Sequence, residues 1–258
     1  MLIVHHQPKS PVAEAYRTLR TNIQFAAVGH ALRTLLITSA GPDEGKTTAL
    51  ANLGVAMAQA GSKVLLVNAD LRRPALHRLL NRPERVGLTN VLLGTVPLEE
   101  AIQPTGIENL SFLGSGPLPP NPSELLGSAA MGEIIARLQE MYDLALFDAP
   151  PVVAITDAAV LAPRVDGVIL LVRSGHTDRE AARQARLNLQ RVGARILGVI
   201  LNDVQMRGGR YGYYYYYYYR HAAGSDARSE AAASVDTPRD EDPSHVTSQP
   251  SRSPRRGE

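Results

Sequence analysis

The stretch Thr34-Leu-Leu-Ile-Thr-Ser-Ala-Gly-Pro-Asp-Glu-Gly-Lys-Thr-Thr48 constrains this chain more than any other. An apolar run, Leu35 to Ile37, predicts a short buried strand that stops in a Gly/Pro turn. Gly45 then opens an Ala-rich run, Thr47 to Ala60, with the composition of a helix. Strand, turn and helix in that order are the setting of a phosphate-binding loop, because loop N–H groups and the positive end of the helix dipole converge on phosphate oxygens. Gly41, Pro42, Asp43, Glu44, Gly45, Lys46, Thr47 and Thr48 are therefore the nucleotide-binding candidates. Lys46 is placed to reach the β- and γ-phosphates, and the Thr47 hydroxyl to ligate Mg²⁺. Ala40 stands where the usual pattern has its first glycine, and Gly41 beside it keeps the turn flexible.

Two further apolar runs end in side chains that suit the same site. Lys63 to Val67 predicts a strand closed by Asn68-Ala-Asp70. Asp70 is a candidate metal or proton-handling group, although capping a helix over Leu71 to Leu80 is an equally good reading from local sequence. Asp143 to Phe147 predicts a strand closed by Asp148, the Walker B pattern in which a carboxylate holds Mg²⁺ through water. Later runs, Gly167 to Val172 and Ile196 to Leu201, flank a helical segment from Asp178 to Val192, and Asn202 closes the last on the ligand-facing edge as a further nucleotide-binding candidate. Five strands alternating with helices predict an α/β protein with a doubly wound, mainly parallel sheet of the P-loop NTPase type. Residues 81–121 read as loop-rich with a strand at Leu110 to Leu113, and Ser123 as the cap of a helix running to Tyr142.

Composition narrows the rest. The 258 residues are 44% apolar, which suits a packed core, and contain no cysteine, which excludes disulfides and thiolate metal sites and fits a reducing cytoplasm. The apolar runs are too short to span a bilayer, and the N-terminus lacks the features of a signal peptide. A formal net charge of +2 gives no general argument for binding nucleic acid.

The ends differ from the middle. Ser10 and Pro11 predict the start of a helix on which Glu14, Arg17 and Arg20 share one face and Leu19 and Ile23 another. Spacing alone makes those charges a solvated face with an internal ion pair. Beyond Asp203, Gly208-Gly-Arg-Tyr211-Gly leads into seven consecutive tyrosines, Tyr213 to Tyr219. Residues 220–258 contain no Leu, Ile, Phe or Met, cannot bury enough apolar surface to offset ordering entropy, and are expected to be disordered. Arg207, Arg210 and Arg220 are too few to make the tyrosine run a nucleic-acid stacking patch. The expected organisation is a helical segment at 1–30, a P-loop core at 31–205, the tyrosine cluster at 206–219 and the tail at 220–258.

The phosphate loop, the two acidic strand ends, Glu14-x-x-Arg17-x-x-Arg20, Pro120-Asn-Pro-Ser-Glu-Leu-Leu126 and the tyrosine cluster, in this order, resemble the cytoplasmic catalytic domain of bacterial tyrosine kinases. These are P-loop autokinases of capsule and exopolysaccharide export. The resemblance covers residues 8–219 and implies ATP and Mg²⁺ as cofactors, with Lys46, Asn68, Asp70 and Asp148 in the catalytic set and Thr47, Asp70 and Asp148 at the metal. It implies that Tyr211, Tyr213, Tyr214, Tyr215, Tyr216, Tyr217, Tyr218 and Tyr219 are phosphoacceptors used in trans. It also turns the Glu14, Arg17 and Arg20 face into a subunit contact of a ring. The implied partners are other copies of the chain, a separate transmembrane activator that recruits it from the cytoplasm to the inner face of the plasma membrane, and a cognate tyrosine phosphatase. Related partitioning ATPases carry an extra lysine early in the loop, which Gly41, Pro42, Asp43 and Glu44 do not supply. Three departures stand out: Asp43 replaces the usual glycine, Asn68 replaces the first aspartate of D-x-D, and a long tail follows the tyrosines. An amide at position 68 cannot accept a proton, so weak activity and a faster Asn68→Asp variant are the expectation, with a non-catalytic scaffold as the alternative.

Overall fold

A computed structural model describes residues 1–29 and 31–204, which fall in one unit, Met1–Gln205. The expectations for Tyr211, for the run Tyr213 to Tyr219 and for the tail lie outside the described residues. Seven strands form one sheet: β1 (Thr34–Ser39), β2 (Val64–Asn68), β3 (Ile102–Pro104), β4 (Leu110–Leu113), β5 (Leu144–Asp148), β6 (Gly167–Arg173) and β7 (Ile196–Asn202). Their spatial order is β3-β4-β2-β5-β1-β6-β7, parallel except for the antiparallel β3–β4 edge. The doubly wound, mainly parallel sheet expected from the strand–helix alternation is the one observed.

The central strands explain why their sequences are continuous apolar runs. Every residue of β1, β2 and β5 is buried, since helices cover both faces of the sheet. Period-2 alternation sends Leu36, Leu65, Val67 and Phe147 to one core and Leu35, Ile37, Leu66 and Leu146 to the other. The second core is closed by α1 (Ile3–His6), α2 (Pro11–Ala26) and α3 (Lys46–Ala58). On α3, Gly54 lets the helix lie against β2, where a Cβ would stand 2.5 Å from Leu66 Cδ2. Short helix α4 (Leu76–Leu80) precedes the loop-rich stretch, within which lie α5 (Leu88–Leu92) and α6 (Leu98–Ala101). The first core is closed by α7 (Pro122–Gly127), α8 (Ala129–Met141), α9 (Asp157–Leu161) and α10 (Arg179–Arg191).

Three local expectations are corrected. Asp70 does not cap a helix over Leu71 to Leu80: Pro74 disfavours helix in the residue before it, and α4 begins only at Leu76. Asp70 Oδ1 instead accepts the N–H groups of Arg72 and Arg73 in a turn. Ser123 is not a cap either. Pro122 takes the first helical position after Asn121, and the helix breaks at Ser128, whose hydroxyl caps α8 through Met131 N–H. The antiparallel β3 and the single turn α1 were not anticipated, being too short to show a period. Ser10 does cap α2, accepting from Ala13 N–H with Pro11 following.

Candidate functional site

Three buried strands end side by side where the loop begins. Asp148 at the end of β5 is in register with Ile37 of β1 on one side and with Asn68 of β2 on the other. That edge, the carboxyl ends of parallel strands, is where open α/β sheets bind ligands.

The loop is fastened by side chains that the sequence did not single out for that task. Glu44 is buried, accepting from Ala40 N–H at 3.0 Å and from the Thr177 hydroxyl at 2.7 Å. It therefore acts as an internal brace of the loop. Asn202 donates its amide to the Glu44 carbonyl at 2.9 Å, and a Cβ on Gly45 (φ +92°) would run into that amide. Asp43 occupies the left-handed region at φ +56°, where glycine is at ease and an aspartate is tolerated. Its side chain is exposed, so its charge is screened by solvent, and Arg173 Nη1 lies 3.5 Å from its carbonyl.

Lys46, at the first turn of α3, spans the two acidic strand ends. Its Nζ lies 3.2 Å from Asp70 Oδ2 and 3.5 Å from Asp148 Oδ1. The neighbouring Thr47 donates its hydroxyl to Asp148 Oδ2 at 2.6 Å. Burial works against the Lys46 ammonium, yet the charges of Asp148 and Asp70 outweigh it and hold its pKa above the ordinary lysine value. Burial pushes the Asp148 carboxyl up, against the pull of Lys46 and Thr47. Two carboxylates facing one ammonium leave an excess negative charge in a dry place. Among the described residues no three acidic or histidine side chains form a protein metal cage. The donor set (Thr47, Asp148 and Asp70) fits Mg²⁺, which is held by one or two carboxylates together with substrate phosphates and water.

Asn68 is wholly buried, and its amide nitrogen donates to Glu84 Oε1 at 3.1 Å. Its Oδ1 has no hydrogen-bond partner among the described residues. Glu84 also accepts from the Ser115 hydroxyl at 2.8 Å and faces His77 Nδ1 at 2.6 Å. Sequence reasoning missed His77, Glu84 and Ser115, which no helical or strand period connects. It also missed Asp157, a fully buried carboxylate held by Arg72 Nε at 2.8 Å and by the Ser123 hydroxyl.

The other sequence candidates are placed as follows. Thr48 sits on the first turn of α3. Glu14 and Arg17 pair at 2.7 Å, Arg17 Nη2 also donates to the Pro8 carbonyl, and Arg20 Nη1 donates to the Ala56 carbonyl of α3 at 2.9 Å. Arg20 thus fastens the N-terminal helix to α3, whereas Glu14 and Arg17 bond only within α2 and to the segment just before it.

Loop, lysine and paired acidic strand ends on this sheet define a P-loop nucleotide-binding protein. A family model described as AAA domain matches residues 40–195. The tyrosine-protein kinase YwqD of Bacillus subtilis is 44% identical over 213 residues, covering 82% of this chain and 90% of that protein. Among solved structures, the chimerical protein CapA2B2 is similar with a TM-score of 0.76 and 41% identity, covering 79% of this chain and 89% of that one. The kinase domain of the Escherichia coli tyrosine kinase ETK is similar with a TM-score of 0.78 and 35% identity, covering 81% and 82%. The chain belongs to the bacterial tyrosine-kinase family.

Proposed function

We propose that this chain is an ATP-dependent protein-tyrosine autokinase that phosphorylates its own cluster, Tyr211 and Tyr213 to Tyr219, on a neighbouring copy and so regulates capsule or exopolysaccharide synthesis. The observation that carries the reading is Lys46 held between Asp70 and Asp148 at the mouth of the loop. Loop N–H groups from Gly41 to Thr48 would bind the phosphates, and Lys46 would turn from the carboxylates to the transferring group. Thr47, Asp148 and Asp70 would hold Mg²⁺, whose chemistry is to neutralise charge between the phosphates. Asn202, which the sequence placed against the nucleotide, would act through Glu44 by fixing the loop's shape.

The helix carrying Glu14, Arg17 and Arg20 would contact the next subunit of a ring. A transmembrane activator would hold that ring at the inner face of the plasma membrane, and a tyrosine phosphatase would reset it. No helix among the described residues is long and apolar enough to cross a membrane. A scaffold that binds ATP without transferring phosphate is the second reading, favoured by the amide at Asn68. The two separate on mixing wild-type chain with a Lys46→Met acceptor and Mg-ATP: phosphotyrosine mapped by mass spectrometry to 211–219 of the acceptor supports the autokinase, and an unmodified acceptor supports the scaffold.

A further inference from the structure

Beside the nucleotide end of β2 lies a cavity of about 560 Å³ lined by Arg72, Arg73, His77, Arg78, Glu84 and Leu118, among others. Its wall starts two residues past Asp70, whose carboxylate fixes the turn through the N–H groups of Arg72 and Arg73. We infer that His77 and Glu84 are the proton-accepting pair for the acceptor tyrosine, that Asn68 and Ser115 position the glutamate, and that this cavity receives the phenol; the inference rests on the tyrosine-kinase reading above.

The geometry is that of a carboxylate orienting an imidazole. His77 Nδ1 is buried with Glu84 Oε2 2.6 Å away, a close polar contact whose angle is not that of a hydrogen bond, so a small turn of the ring would complete one. A carboxylate at Nδ1 selects the tautomer with the proton there and leaves Nε2 with its lone pair. Glu84 is itself anchored at its other oxygen by Ser115 at 2.8 Å and Asn68 at 3.1 Å. This gives the unusual amide at position 68 a physical reason. An aspartate there would set two carboxylates against each other, whereas the amide donates a hydrogen bond. The carboxylate missing from the strand end thus stands one side chain further out, on Glu84.

In the transfer step, the phenolic proton passes to His77 Nε2 as the phenolic oxygen forms its bond to the γ-phosphorus. The bond from that phosphorus to the β,γ-bridging oxygen breaks, and its electron pair leaves on ADP. Glu84 stabilises the imidazolium, which then returns its proton to solvent. Arg73 and Arg78 lie where they offset the charge developing on the phenolate.

The test uses the full chain as enzyme, the Lys46→Met chain as acceptor, and the variants Glu84→Gln, His77→Asn and the two combined. Glu84→Gln keeps the size of the side chain, removes the charge and turns one acceptor oxygen into a donor amide. Each single variant is expected to lower kcat about 10²-fold or more, with KM for the acceptor and ATP affinity within about twofold. The double variant should fall no further than the worse single one, as groups acting as a unit do. Wild-type kcat in either single variant overturns the inference, and so do multiplying losses or a parallel loss of ATP affinity, which mark a prop for the 82–87 loop. If the wild type itself places no phosphate on tyrosine, the kinase reading falls and this inference with it. A labelling wild type beside equally active variants removes this inference alone.

Discussion

Thr47 at the start of α3 donates its hydroxyl to Asp148 at the end of β5, 2.6 Å away, tying the loop's helix to the central strand. Both side chains are thereby aimed at one point beside Lys46 before any ligand arrives. Preorganisation of this kind spares reorganisation when charge develops.

The Lys46 ammonium is held by Asp70 at 3.2 Å and by Asp148 and the Thr47 hydroxyl at 3.5 Å. Lys46→Met is expected to remain folded by circular dichroism and to lose tight ATP binding in a fluorescent-nucleotide titration. Wild-type affinity in this variant would place the nucleotide elsewhere.

Asp148 links the site to stability. Burial raises its pKa in the folded chain, so the unfolded chain gives up this proton first as pH rises. The stability contributed by the protonated carboxyl is complete below the ordinary carboxylate range and is lost as pH rises through the raised value. Asp148→Asn should therefore gain on the wild type in Tm as pH climbs through that window. Mg-ATP at 100 times its Kd stabilises a single site by about 2.7 kcal/mol, and this increment should vanish in the variant. A Tm difference independent of pH, or an intact Mg-ATP increment, contradicts the account of this carboxylate.

The α2 charges are tied within the chain. Arg17→Ala with Arg20→Ala removes the Glu14 pair and the Ala56 carbonyl bond. A stability loss of about 1 kcal/mol follows from these bonds alone. If the face also joins subunits, light scattering should report monomers at concentrations where the wild type is a ring. Unchanged mass with the lowered Tm would confine these residues to a structural role.

For Asn68 the inferred role of Glu84 and the earlier expectation give opposite outcomes. The family resemblance predicts that restoring aspartate accelerates transfer at least about tenfold, about 1.4 kcal/mol of barrier. With Asn68 Nδ2 donating to Glu84 Oε1 at 3.1 Å, the substitution would repel Glu84 and disturb His77. Initial rates at saturating Mg-ATP should fall, and a tenfold rise would return the proton-accepting role to position 68.

The sheet was legible because buried parallel strands are continuous apolar runs, and because Lys46, Thr47 and Asp148 lie at fixed offsets from strand ends. Elements without a period were not: β3 has three residues and α1 has four. The alternative reading of Asp70, as the cap of a helix over Leu71 to Leu80, failed for a local reason, Pro74. His77, Glu84 and Ser115 meet Asn68 only through the path of the chain between β2 and β4, which carries no spacing signature. Asn202 closes β7 as the sequence suggested, and its contact is with the loop carbonyl of Glu44.

The most direct measurement follows the γ-phosphate of radiolabelled ATP in wild type and in Lys46→Met. The account predicts that label moves to protein tyrosine in the wild type, with little released as inorganic phosphate, and that Lys46→Met transfers none. Label released wholly as inorganic phosphate would make the chain a hydrolysing ATPase. Label that stays on ATP while ATP is bound would make it a scaffold, and either result contradicts the kinase.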